Sequence, residues 1–566
     1  MWGRYWPHHS ECAHGGALGD SFLLKQTPRL FSRRGSAPRS VLPRKLALSV
    51  LAALLLVSGP RPGVAQVNLP TLGDSVSADL DVGAERRFGD QIMRQIRPDP
   101  DLLDDPILLE YVQGVWAPLV AAGIRLGNIG DETKDHFAWE IFLVRDKSVN
   151  AFALPGGFVG VHLGLIAMTV SRDELASVLG HELSHVTQRH IARRIVGDSR
   201  NSLLATAAMV AGLIIAARSG SVDGANAAIV GSQAAAAAAS LAFSRDMERE
   251  ADRVGFQVMT QAGYAPAGMF SMFERMEQSY HLMDAGNYPY LRSHPLTSER
   301  IGDARTRMGT EAFVRPLGVA EHALMAARAK VLMDPRAEAW AALQNLDAGV
   351  RDTSSKDGGK GYEQLGARYA SALASIKMRD FTRAENALRS AELTLQLLGP
   401  DERASRDLRY LRAELAAAKG QAGDGFAALA GLAGERSRPM LMQRAQLAMV
   451  DSSGTASARQ AADDLQTYVS LNPHDPGAWA QLAQLWDRLN QPLRALRAHG
   501  EVRAAMGDLN GAIDRLRSGL RQSRGRDADQ IEAAVIDSRL RALTYERRQL
   551  LAEMYPRGVP PGAELP

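Results

Sequence analysis

The stretch "GHELSH" at residues 180–185 constrains this chain most, because its residues act together only on a helix. Side chains four apart project from the same face of a helix, so His181 and His185 can reach one metal ion. Glu182 lies beside them, where its carboxylate can hydrogen-bond a water molecule at an open coordination position. The spacing predicts a zinc site with Glu182 as general base. The alternative is a surface helix with two solvated histidines.

The surrounding sequence predicts where this helix begins and ends. Ser171, with Glu174 three residues later, forms a capping-box pattern before the apolar "DELASVL". We expect the helix to continue through both histidines to about Val196. Upstream, the segments 138–146 and 150–166 predict strands, with a Pro-Gly-Gly turn in the second.

A catalytic zinc usually takes three protein ligands, and cysteine is excluded as the third. The one cysteine of the chain is Cys12, in the leader described below. His190 lies one position off the spacing of a known third-histidine motif and would leave the ligand face, so we expect a structural role for it. The third ligand must therefore be a histidine or carboxylate from elsewhere.

The segment "MEREAD" (247–252) offers three carboxylates on a predicted helix. Glu248 and Glu250 flank its apolar face on opposite sides, so periodicity alone does not choose between them. Glu248 and Asp252 are four residues apart and share a side, which makes a pair of ligand and supporting residue possible.

The first 65 residues have the pattern of a secretory leader. Arg44 and Lys45 precede an apolar run at 46–58, and small residues end at Ala65. A run of thirteen residues is too short to span a bilayer as a helix. We expect export to the periplasm with cleavage after Ala65; an uncleaved anchor is the alternative. The leader carries a net charge of +7 and the remainder −4, which gives no reason to expect a nucleic-acid partner.

After 315–320 the chain becomes a succession of predicted helices rich in Ala, Leu and Arg. Segments 369–388, 478–499 and 506–516 share small residues at helical spacing, a Gly/Asp turn and a further helix. They resemble tetratricopeptide repeats, in which paired helices stack into a solenoid with a concave face. A plain helical bundle is the alternative.

Four motifs occur in a fixed order: "VNAFALPGGFVGV", "DELASVLGHELSHVTQRH", "SRDMEREADRVG" and "SHPLTSERI". In this order they resemble the gluzincin family of zinc metallopeptidases, which includes the CAAX prenyl proteases, and within it periplasmic members with a repeat domain. The resemblance covers about residues 80–310 by motif and the rest by architecture. It implies a mainly α fold: a zincin-type metalloprotease domain with a small β-sheet, followed by an α-helical solenoid similar to tetratricopeptide repeats.

The resemblance also implies residue roles and one Zn²⁺ per chain. Glu248 becomes the third ligand and Asp252 its supporting residue on the same helix. His294 matches a histidine that can approach the zinc as a fourth, inhibitory ligand. From the residues alone "SHP" is an ordinary turn, and His294 can alternatively stabilise an oxyanion.

The implied function is a zinc-dependent endopeptidase of the bacterial periplasm. The resemblance implies that it degrades misfolded or stalled outer-membrane proteins and assists their assembly, and that its repeats contact the assembly machinery. An extended substrate can add as a strand near "NAFALPGGF". The alternative is a chaperone-like assembly factor that binds through its repeats and has a largely silent zinc site.

A membrane-embedded prenyl-peptide protease is not expected, on the argument that no segment is long enough to span a bilayer. The apolar block 202–217 is expected to be a buried or pocket-covering helix, with peripheral membrane contact as the alternative. The expected domain order is a leader at 1–65, the metalloprotease domain at 66–318, the repeat domain at 319–555 and a disordered tail at 556–566.

Overall fold

The computed structural model describes residues 80–197, 243–282, 289–309, 319–347, 358–523, 530–555 and 558–559. The predicted leader, the apolar block 202–217 and all but two residues of the predicted tail lie outside these ranges. The predictions made for them stay predictions.

Helices and one small sheet make up the described part before residue 310. The helices are α1 (Val82–Ile96), α2 (Pro106–Arg125), α3 (Asp131–His136), α4 (Leu163–Met168), α5 (Arg172–Thr187), α6 (His190–Gly197), α7 (Arg245–Gln261), α8 (Ala267–Leu282), α9 (Pro289–Ser293) and α10 (Ser298–Met308). The strands are β1 (Leu102–Leu103), β2 (Glu140–Val144), β3 (Ala151–Leu154) and β4 (Phe158–His162).

The four strands form a mixed sheet in the order β1-β2-β4-β3. β2 and β4 are parallel, with Phe142 opposite Gly160, and the other two pairs are antiparallel. The predicted strands and the turn between β3 and β4 are confirmed, and β3 lies at an edge of the sheet beside α5. Residues 163–166, predicted as strand, instead begin α4. All four are buried, and a short apolar run has no periodicity that separates strand from helix.

Helix α5 begins as predicted but ends early. The Ser171 hydroxyl accepts from the backbone N–H of Glu174, whose carboxylate accepts from the N–H of Val170. The predicted continuation to Val196 is wrong, because Arg189 adopts a left-handed conformation with φ +50° and α6 starts anew after it. The buried Arg189 side chain holds this turn by donating to Glu85 and to the carbonyl of Leu80.

Helices α5 and α7 touch through their backbones, where Gly180 meets Gly255. A Cβ atom on Gly255 would lie 3.0 Å from backbone atoms of Gly180 and His181. This close approach sets the two motif-bearing helices side by side. The acidic residues of α7 are thereby brought within reach of the histidine pair on α5.

Helix α2 corrects one sequence-based argument. By length and composition its 20 residues could cross a membrane, so the expectation that no segment is long enough is wrong. About half of its apolar stretch is buried inside the protein, and Leu108, Val112 and Leu119 are fully buried in the main core. In this structure α2 is a core helix.

From residue 319 onward the described chain is helical. The helices are α11 (Val319–Leu332), α12 (Ala337–Gln344), α13 (Gly358–Lys377), α14 (Phe381–Leu398), α15 (Glu402–Lys419), α16 (Ala422–Leu429), α17 (Arg438–Val450), α18 (Ala456–Leu471), α19 (Pro476–Arg488), α20 (Pro492–Ala505), α21 (Leu509–Ser523) and α22 (Gln530–Met554). Successive helices pack on each other. The turns of the three repeat-like segments each contain a left-handed residue: Arg379, Asn490 and Gly507. This confirms the predicted helix–turn–helix pattern.

Helix α11 packs on α4 and α2 as well as on α13. It therefore shares a core with elements on both sides of the predicted boundary between 318 and 319. The division into a protease domain and a repeat domain at this position stays a prediction.

Candidate metal centre

Four side chains from three segments converge at one buried point: His181, His185, Glu248 and His294. Nε2 of His181 lies 3.0 Å from Nε2 of His185 and 3.3 Å from Nδ1 of His294. Oε1 of Glu248 lies 2.8 Å from Nδ1 of His294 and 3.5 Å from Nε2 of His185. Each residue is at most 3% exposed. No second group of this kind occurs among the described residues.

These separations fit one small cation. Ligand atoms about 2.0–2.1 Å from a tetrahedral zinc stand about 3.3–3.4 Å from one another. The four separations given above run from 2.8 to 3.5 Å, and all the ligand atoms lie within 4.8 Å of one another. Without a cation, Nε2 of His181 would have to hydrogen-bond both Nε2 of His185 and Nδ1 of His294. An imidazole nitrogen has either one proton or one lone pair for this purpose, so it cannot serve both contacts well. The four residues therefore fit a metal ion.

The electrostatics of the group also favour positive charge. Although burial acts to lower it, hydrogen bonds to Asp252 and Glu248 raise the pKa of His181 to about 9. Burial acts to raise the pKa of Glu248, but His294 and His181 hold it below its usual range, so the carboxylate is ionised. Carboxylates that stabilise an imidazolium stabilise a metal cation by the same attraction.

Glu182 faces the group without being part of it. It is fully buried, and neither carboxylate oxygen accepts a hydrogen bond of good geometry from the described residues. Its Oε1 lies 3.6 Å from Nε2 of His294. Burial raises the pKa of Glu182, while His294 and His181 oppose the rise. A carboxylate with uncommitted oxygens at this place can accept a proton from a water molecule.

Asp252 supports His181 and is itself held by an arginine. Its Oδ1 lies 2.9 Å from Nδ1 of His181. Arg300 on α10 donates to both oxygens of Asp252, at 2.7 and 2.8 Å. The same guanidinium donates to the carbonyl of Pro295, at 2.9 Å. Arg300 thus joins the support of His181 to the segment that carries His294. Arg300 belongs to the motif "SHPLTSERI", but nothing in that local sequence predicts its contact with Asp252.

His294 lies at the end of α9, in a conformation supported by its own segment. Its N–H donates to the carbonyl of Tyr290, and the two rings stack with centroids 4.6 Å apart. Pro295 and Thr297 follow, and Thr297 caps α10. The turn predicted from "SHPLTSER" is present, and it delivers the histidine into the group rather than to the surface.

The two glutamates that periodicity left open take different places. Glu248 lies in the group, whereas Glu250 points away and pairs with His190 and Arg193, each at 3.1 Å. The ring of Phe243 stacks on the imidazole of His185, with centroids 3.9 Å apart. Sequence reasoning missed Phe243, Tyr290 and the contact of His190, because none of them follows from helical spacing.

Comparisons with known proteins agree with this geometry. Residues 124–308 match the model of peptidase family M48. The beta-barrel assembly-enhancing protease of Yersinia pestis is 29% identical over 82% of this chain and 92% of its own length. That of Shigella flexneri is 28% identical over 84% of this chain and 92% of its own length. The mitochondrial metalloendopeptidase OMA1 of Saccharomyces cerevisiae is 30% identical over 34% of this chain and 53% of its own length.

All four motifs named in the sequence, from "VNAFALPGGFVGV" at the edge strand to "SHPLTSERI" around His294, lie within the matched range. Residues 124–308 are therefore similar to peptidase family M48, and the chain is a metalloendopeptidase similar over most of its length to the beta-barrel assembly-enhancing proteases.

Proposed function

We propose that this chain is a zinc-dependent endopeptidase of the bacterial periplasm that degrades misfolded or stalled outer-membrane proteins and assists their assembly. The observation that carries the proposal is the convergence of His181, His185 and Glu248 beside the buried, uncommitted carboxylate of Glu182. The names of the relatives support the link to β-barrel assembly.

His181, His185 and Glu248 are the residues that would hold one zinc ion per chain. Two imidazoles and a carboxylate are a ligand set found in zinc peptidases. When bound there, zinc supplies Lewis acidity, which polarises a carbonyl oxygen and makes a water molecule more acidic. Asp252 keeps the proton of His181 on Nδ1, which leaves Nε2 free as a ligand.

Glu182 performs the proton transfers in the proposed mechanism. Its carboxylate accepts the proton of the attacking water and later donates it to the departing amine. Burial of Glu182 raises its pKa, which brings the carboxyl closer to the range where both transfers are possible at neutral pH. Full burial also keeps bulk water away from the transferred proton.

The edge strand β3 is the proposed substrate-binding element. It lies at the edge of the sheet and beside α5, which carries the histidine pair. An extended polypeptide that adds to this edge is drawn along the helix that carries the site. Folded proteins seldom present an unpaired strand, so this mode favours unfolded or stalled chains.

His294 is proposed as a resting lock rather than an oxyanion stabiliser. Its Nδ1 lies among the ligand atoms, 2.8 Å from Glu248 and 3.3 Å from His181. A fourth protein ligand fills the position that a reacting water needs. Such a lock suits an exported protease whose edge strand accepts any extended chain.

The periplasmic location, with cleavage after Ala65, belongs to this proposal and is supported by the leader pattern. The repeat region, 319–555, is proposed to contact the outer-membrane assembly machinery through its concave face. Peripheral membrane contact through 202–217 is part of the same proposal.

Replacing Glu182 by Gln tests the function, because it preserves shape and ligands but removes the base. We expect Glu182→Gln to bind one zinc, to lose casein cleavage and to trap outer-membrane proteins in periplasmic extracts. His499→Leu, a change on α20 at a side chain that is 42% exposed, is the control and should behave as wild type. Full assembly-supporting activity of Glu182→Gln in cells would favour the chaperone-like alternative.

A further inference from the structure

His185 makes a contact on the side away from the other ligand atoms. Its Nε2 faces His181, while its Nδ1 lies 2.9 Å from Nδ1 of His190. His190 is fully buried, and its Nε2 lies 3.1 Å from Oε2 of Glu250. Arg193 donates to the same carboxylate oxygen at 3.1 Å. The side chains of His185, His190 and Glu250 thus form a hydrogen-bonded line, and Glu250 at its end is paired with Arg193.

The positions of the protons along this line follow from its ends. A neutral imidazole carries one proton, and two facing Nδ1 atoms need one proton between them. If Nε2 of His185 is a metal ligand, its proton is on Nδ1 and is donated to His190. His190 then accepts at Nδ1, so its own proton is on Nε2 and is donated to Glu250. Every donor along the line has one acceptor, and only this arrangement leaves Nε2 of His185 free.

The contact depends on the break between α5 and α6. On an unbroken helix, five residues turn the chain through about 500°, which would place His190 well off the face of His185. The left-handed residue Arg189, anchored to Glu85 by a 2.8 Å ion pair, swings His190 back toward that ring. Phe243, stacked on His185, fixes the plane of the ring from another side.

The two histidines of the motif are therefore supported in different ways. His181 donates directly to a carboxylate, that of Asp252. His185 reaches its carboxylate, that of Glu250, only through a second imidazole. Groups that fix a ligand's tautomer and ring orientation typically change metal affinity by 10–100-fold when removed.

We propose that His190, oriented by Glu250 and Arg193, is a positioning residue that fixes the tautomer and orientation of His185. This rests on the proposed role of His185 as a zinc ligand. The two glutamates then have different functions. Glu248 binds the metal, whereas Glu250 orients His190, which in turn orients the ligand His185.

Zinc affinity of the full chain, measured by competition with a chromophoric chelator, tests the proposal. His190→Leu keeps a similar volume but cannot accept or donate, so its affinity should be about 10–100-fold weaker. In His190→Gln the amide can accept from His185 and donate to Glu250, so affinity should stay within about threefold of wild type. His322→Leu is the matched control, because His322 is also fully buried but contacts Tyr111 and Thr169.

If His190→Leu and His190→Gln bind zinc as wild type does, or weaken equally, the positioning role is wrong. Should His190→Leu not fold, Glu250→Ala serves instead, since its side chain is 20% exposed. An affinity of Glu250→Ala equal to that of wild type also overturns the proposal. A wild-type chain that binds no zinc overturns the proposed function itself, so the two failures are distinguishable.

Discussion

The same buried ion pair occurs at two places in this protein. At the metal centre, Arg300 donates to both oxygens of Asp252, at 2.7 and 2.8 Å. Between α2 and α11, Arg328 donates to both oxygens of Asp105, each at 2.7 Å. In each pair burial acts to raise the pKa of the aspartate, but the arginine and the other partners of the carboxylate together outweigh burial, so the pKa is lowered.

The remaining partners of the two pairs differ, and they indicate different purposes. Asp252 accepts from His181, so its charge acts on a candidate metal ligand. Asp105 accepts from the N–H of Leu108 and caps α2. Arg328 donates further to Tyr369 on α13 and Glu414 on α15. The first pair orients a reactive group, and the second joins four helices from both sides of residue 319. Identical local chemistry therefore predicts different consequences when it is removed.

The largest expected effect tests whether the centre binds metal. Glu248→Ala should lose most of its zinc and at least about 10³-fold in casein cleavage, since metal ions contribute several kcal/mol to such reactions. Glu250→Ala should still carry one zinc after purification, because its weaker affinity comes from the loss of a supporting residue and all three ligands remain. Metal analysis of both variants checks this, and the reverse pattern would identify Glu250 as the ligand.

The two aspartates give the most direct test of the comparison. Asp105→Ala leaves Arg328 buried without its main partner, which should cost about 3–5 kcal/mol of stability with unchanged zinc affinity. Asp252→Ala leaves Arg300 in a similar position but should also weaken zinc binding by about 10–100-fold. Thermal unfolding and chelator competition on both proteins separate the cases. Equal loss of zinc affinity in both variants would refute the distinction.

A smaller effect is expected from replacing His294, whose segment is held at the centre by Arg300 through the carbonyl of Pro295. His294→Ala should raise casein cleavage and self-cleavage several-fold at full zinc occupancy, because the lock is removed. An oxyanion stabiliser would behave oppositely, with a fall of roughly 10²-fold. One assay beside wild type and Glu182→Gln decides between them.

The smallest effect concerns another buried aspartate, Asp407, on helix α15, the helix that Arg328 contacts through Glu414. Asp407 has no arginine fork: its Oδ1 lies 3.6 Å from Nε of Arg406. Burial raises the pKa of Asp407 well above its usual range; Arg406 opposes the rise, and Glu321 and Glu110 add to it. A folded-state pKa above the unfolded value contributes stability that is complete below about pH 4 and is lost as pH rises through the folded pKa.

Asp407→Asn should therefore raise the free energy of unfolding at pH 8, by on the order of 1 kcal/mol. The difference should vanish below about pH 3, where Asp407 is protonated in both the folded and the unfolded state. The pH dependence expected from Asp105 is opposite, because its pKa is lowered in the folded state. The stability that Asp105 contributes to the protein is present above about pH 4 and is lost in more acid solution. Unfolding curves at several pH values measure both, and an Asp407→Asn protein less stable than wild type at pH 8 would contradict the prediction.

Local pattern was enough for most elements of the fold. The Ser171 cap, the strands around the Pro-Gly-Gly turn and the helix–turn–helix pattern of the repeats depend on neighbouring residues only, and each was predicted. The break at Arg189 was not, because a left-handed arginine is stabilised by Glu85, a residue 104 positions earlier. The start of α4 within an apolar run was missed because such a run has no distinctive period.

The sequence by itself determined that two histidines and a glutamate lie together on one helix, since a spacing of four residues places side chains on one face wherever the helix lies. It also determined that three carboxylates lie on a second helix. Only the tertiary structure decided which of them meets the histidines. The backbone contact of Gly180 with Gly255 turns the Glu248 flank of α7 toward α5 and the Glu250 flank toward His190. Helical periodicity describes the faces of one helix, and the choice between faces belongs to the packing of two.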